Sequence, residues 1–72
     1  MNEFQALANA IIEQAAKDYR GARKMLKKNP YHPVSLETVA EIEEFFLSAW
    51  FKALTTVSGS AVLRLLKEEF DT

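Results

Sequence analysis

No cysteine occurs anywhere in the chain, which rules out disulfides and the thiolate ligands of structural zinc. The single histidine, His32, cannot supply the usual set of nitrogen ligands, so neither a metal nor a cofactor is expected. Only two glycines are present, Gly21 and Gly59, and they stand alone, so there is no glycine-rich phosphate loop. No run of about 18 apolar residues is found, and nothing is expected to span or enter a membrane. The start, Met1-Asn2-Glu3-Phe4, lacks the basic stretch and apolar core of a secretory signal, so the expected location is cytoplasmic, in the producing cell or a host cell. An excess of one charge is also missing. The net charge of −1 sets up no global field to draw in nucleic acid or an anionic membrane. His32 sits between Tyr31 and Pro33, as a linker residue would, and no base, nucleophile and orienting acid are gathered in any segment. No catalytic residues are assigned, and an enzyme is not expected.

What is present is apolar and periodic. A hydrophobic fraction of 49% suits a folded chain. Its 72 residues make one domain at most, and a chain this short buries little of its surface. With disulfides and metals excluded, oligomerisation or very close helix packing must supply stability.

The periodicity predicts an all-α fold: a long helical hairpin plus a short third helix, assembled as a helical-bundle oligomer. The first helix is predicted over 3–28. Phe4, Ala8, Ile11, Ala15, Tyr19, Ala22 and Leu26 recur in steps of three and four with an eleven-residue repeat, which implies a nearly straight helix. Ala8, Ala15 and Ala22 would let a neighbouring helix approach closely. Asn29-Pro30-Tyr31-His32-Pro33 ends this helix, because proline disfavours helical geometry in the residue before it. A second helix is predicted over 35–55 with Ser35 as its N-cap, and a third over 58–70 with Ser58 as its N-cap.

The second helix is unusually aromatic. On a wheel of about 100° per residue, Val39, Ile42, Phe46, Trp50 and Ala53 form a central stripe. Phe51 lies beyond one flank and Phe45 lies on the other. Aromatic residues are enriched in interface cores, so this arc suits both an internal core and a contact with a second chain. The residues expected at an interface are Ala8, Ile11, Ala15, Tyr19, Ala22, Phe45, Phe46, Trp50 and Phe51. Glu43 falls inside the apolar arc and needs a partner, either Arg64 or a basic residue of a second chain.

Lys17, Arg20, Arg23, Lys24, Lys27 and Lys28 crowd the second half of the first helix; six cations against Asp18 leave +5. Such a face could hold a nucleotide or track phosphates. Equally, Glu37, Glu41, Glu43 and Glu44 could neutralise it across the hairpin.

The segment Phe45-Phe46-x-Ser48-x-Trp50-Phe51-x-x-Leu54-Thr55, followed by Gly59 and Leu63-x-x-Leu66-x-x-Glu69, resembles a group of small proteins of prophages and mobile elements in Gram-positive bacteria. It covers residues 41–69, about half the chain. Ser58 stands where that group often has an acidic residue. The resemblance implies an accessory protein, one that blocks or sequesters a host component, and no catalytic residues. Together these features favour a non-enzymatic interaction and oligomerisation module: a homo-oligomer with a protein partner. A nucleic-acid-associated factor and a nucleotide-sequestering oligomer are the alternatives.

Overall fold

A computed structural model describes residues 2–71, which form four α-helices joined by short turns, with no strand among them. The helices are α1 (Glu3–Lys28), α2 (Pro33–Phe46), α3 (Ala49–Leu54) and α4 (Gly59–Glu68). None of them is long and apolar enough to cross a membrane.

α1 begins with a reciprocal cap. The Asn2 side chain accepts the Gln5 backbone N–H at 2.7 Å, and Gln5 accepts the Asn2 N–H at 3.2 Å. The helix ends where Pro30 forces Asn29 into extended geometry. At 1.5 Å per residue, its 26 residues account for the 40 Å long axis of the molecule.

The second segment departs from expectation at both ends. Its N-cap is His32, not Ser35: Nδ1 of His32 accepts the Ser35 N–H at 3.2 Å, with Pro33 at the first helical position, where a missing N–H costs nothing. Ser35 lies one turn in and is buried, its hydroxyl 2.8 Å from the same nitrogen. The expected helix over 35–55 is also not continuous. It stops at Phe46 and restarts at Ala49. Ser48 is the cause: its hydroxyl donates to the Phe45 carbonyl at 2.6 Å and accepts the Phe51 N–H at 3.2 Å. One side chain thus closes one helix and caps the next.

The interruption rephases the aromatic residues. In an unbroken helix Phe46 and Phe51 would lie about 140° apart, and Trp50 would follow Phe46 into the core. Here Phe46 and Phe51 are each 1% exposed, with ring centroids 5.3 Å apart, and Trp50 is turned outward. The core is Tyr19, Phe46, Phe51, Leu63 and Leu66, with Ile12, Ala15, Ala16, Val39, Ile42, Phe45 and Val62 packed around it.

α4 is capped by Ser58, whose hydroxyl accepts the Ala61 N–H at 3.2 Å. It enters the core through Gly59. A side chain at this position would run into the carbonyl oxygen of Phe46 and the ring of Phe51. Gly21, in contrast, is exposed on α1 with open space around it. The same substitution should therefore have opposite signs at the two sites. Gly21→Ala should stabilise the fold by about 0.5–1 kcal/mol through helix propensity. Gly59→Ala should destabilise it by more than about 2 kcal/mol through overpacking. Urea unfolding of both variants is the check, and equal shifts of the same sign would contradict this packing.

Candidate functional site

Three groups of side chains were candidates for function: the ring around Glu43, the basic face of α1 and the aromatic surface. Glu43 lies near the end of α2, facing α1 and α4. Its carboxylate accepts the Tyr19 hydroxyl at 3.0 Å, and its other oxygen lies 3.9 Å from Nζ of Lys67. Arg23, one turn beyond Tyr19, donates to the phenol oxygen at 2.8 Å. The expected pairing with Arg64 or a second chain is therefore replaced by Tyr19 and Lys67 of the same chain; Arg64 points to solvent. Burial pushes the Tyr19 phenol above its ordinary pKa of 10.0, the hydrogen bond to Glu43 adds to the rise, and Arg23 opposes it. No buried polar side-chain atom among the described residues lacks a partner. This ring ties three helices together.

The basic face is partly neutralised, though not by the acids expected to do so. Arg20 grips Glu69 with two parallel hydrogen bonds of 2.9 and 3.0 Å. That contact holds the Glu69 carboxyl below its usual range and the guanidinium above its own. Arg23 lies 3.6 Å from Asp71 and 5.2 Å from the centre of the Phe70 ring, and Lys27 lies 5.6 Å from the same ring. The acids that meet the basic face therefore come from the end of α4 and the residues after it. α2 turns Ile42 and Phe46 inward, which leaves Glu37, Glu41 and Glu44, on the far side of its wheel, in solvent. Lys17, Lys24 and Lys28 are exposed and form no ion pair among the described residues.

The aromatic surface is divided. Ala8, Tyr19, Ala22, Phe46 and Phe51, expected at an interface, are buried within their own chain and present nothing to another. Ile11, Ala15 and Phe45 are half-buried. They line an apolar groove of about 330 Å³ between α1 and the α2–α3 segment, together with Ile42 and Trp50. Gln14 and Asp18 form its outer wall, joined by a 2.9 Å hydrogen bond. Trp50 stands at the rim, 60% exposed, with its ring edge-on to Phe45 at 5.5 Å.

Two further residues belong to this face, Phe4 and Leu7, which are 58% and 62% exposed. Phe4 belongs to the apolar stripe of α1 predicted from the sequence, but neither residue is among those expected at an interface. The missed signal was the spacing 4, 7, 11, which follows its own three- and four-residue steps beside the buried stripe. A second groove, of about 490 Å³, separates Phe4, Gln5 and Asn9 from residues 53–56. Among the described residues, no three His, Cys, Asp or Glu side chains are grouped to hold a metal ion.

No protein-family model, curated protein or solved structure matches this chain.

The Glu43 ring makes a testable claim about pH. Tyr19→Phe should cost about 1.5–3 kcal/mol in urea unfolding, as expected for hydrogen bonds to charged groups. Because the folded phenol titrates above its unfolded value, its contribution is complete below about pH 10 and is lost as pH rises through the folded value. The wild type should therefore show an alkaline loss of stability that Tyr19→Phe reduces. An identical alkaline limb in both proteins would remove the ring from the account of stability.

Proposed function

We propose that this protein is a non-enzymatic helical interaction and oligomerisation module that works through the face formed by Phe4, Leu7, Ile11, Phe45 and Trp50. The observation that carries this reading is the position of Trp50. The chain's single tryptophan is 60% exposed beside an apolar groove, while Phe51 next to it is fully buried. Trp50, Phe4 and Leu7 are each more than half exposed, and large apolar side chains left open in this way mark interaction sites on small proteins. Tryptophan flanked by aliphatic and aromatic neighbours is the composition of an interface centre.

The resemblance to prophage and mobile-element proteins suggests the setting: an accessory factor that acts by occupying a surface. The module has a contact face and no assigned catalytic residue.

Trp50→Ala should change what the protein associates with and leave the fold intact. The expected outcome is a lower mass by light scattering or loss of a co-purifying protein, with helix content close to wild type. Unchanged mass together with unchanged partners would overturn the proposal.

A further inference from the structure

The exposed face has a register, and the register identifies what fits it. Phe4, Leu7, Ile11 and Gln14 occupy successive a and d positions of a heptad along the open side of α1. On one flank of this ridge, Glu3, Ala10 and Lys17 follow at intervals of seven and are all exposed. Neither Glu3 nor Lys17 has an ion-pair partner among the described residues. The opposite flank carries Ala8 and is covered by the chain's own core.

We infer that the occupant of this face is a second copy of the same chain, packed antiparallel along the N-terminal half of α1. The inference rests on the reading of this face as an interaction surface. In an antiparallel helix pair, equivalent flanks face each other, and residues of the a and d positions alternate across the seam. Setting Ala10 against Ala10 on the two-fold axis brings Glu3 of each copy opposite Lys17 of the other. The same register stacks Leu7 on Ile11 twice. It also places Phe4 over Gln14, at the mouth of the groove beside Phe45 and Trp50. The pattern is thus self-complementary in both charge and shape, as a two-fold interface requires. A parallel pair would set Glu3 and Lys17 against the covered flank and leave both charges without partners.

Surface area points the same way. The chain exposes 5181 Å², whereas a monomer of 8.2 kDa is expected to expose about 4,500 Å². The excess, roughly 650 Å², comes with the elongated 40 × 20 × 19 Å shape, which leaves α1 open along its length to a second copy.

The test uses charge reversal on the full chain, read as the dimer dissociation constant from sedimentation equilibrium at low salt. Wild type should dimerise. Glu3→Lys and Lys17→Glu should each weaken self-association by about tenfold, because each sets like charges together twice. An equimolar mixture of the two variants should recover wild-type affinity, since every pair in the mixed dimer is again opposite in sign. Each variant brings its own folding cost into the mixture unchanged, so recovery cannot come from altered folding. Leu7→Asp, at an exposed position, should abolish the dimer with the helix content of the chain retained. Dimerisation that neither reversal affects, or a mixture no tighter than the singles, overturns the inference. So does a monomer at every concentration; in that case the interaction reading stands or falls separately on Trp50→Ala and the co-purifying protein.

Discussion

The hydroxyl of Ser48 decides the arrangement of everything C-terminal to it. By donating to the Phe45 carbonyl and accepting the Phe51 N–H, it stops one helix and starts another within two residues. The cost is an interrupted ladder of backbone hydrogen bonds. The gain is that Phe46 and Phe51 both reach the core, which a continuous helix forbids. Phe46 then offers its carbonyl to the close approach of Gly59, and α4 can bring Leu63 and Leu66 onto the same two rings. Trp50 is outward for the same reason that Phe51 is inward.

Two kinds of polar contact fasten this assembly, and they differ in weight. The ring of Tyr19, Glu43, Arg23 and Lys67 lies at the junction of α1, α2 and α4 and leaves little of its phenol to water. Charge-assisted hydrogen bonds in such a setting hold geometry as well as contributing energy. The Arg20–Glu69 pair is better formed but half in solvent, where screening and side-chain entropy consume most of the gain. It fastens the end of α4 lightly. The cation contacts on Phe70 do similar work through an aromatic face.

Much of the fold was legible in the sequence. The bounds of α1 follow from its apolar steps and from Pro30, and the N-cap at Ser58 from its position before an apolar run. What was not legible depends on tertiary competition. A helical wheel assumes a continuous helix, so it assigned Trp50 to the core and Phe51 to the margin. Nothing local to Ser48 says whether it will sit on a polar strip or turn back to cap. Ser35 was a reasonable cap by type, but His32 precedes Pro33 and reached the orphan N–H first. The candidate face was half legible. Ile11, Ala15, Phe45 and Trp50 were in view, whereas Phe4 and Leu7 became conspicuous only once the core had filled without them.

The placement of the aromatic chromophores has an optical consequence. In most small proteins the indole is interior, and its emission follows folding. Here the only indole lies outside and Tyr19 lies inside, so the two signals are separated in space. Indole emission from this chain follows the polarity at its groove rim, while of the two phenols Tyr31 is exposed and only Tyr19 follows the state of the core. The molecule therefore carries its one indole label on the surface, where emission reports the groove rim and not the filling of the core.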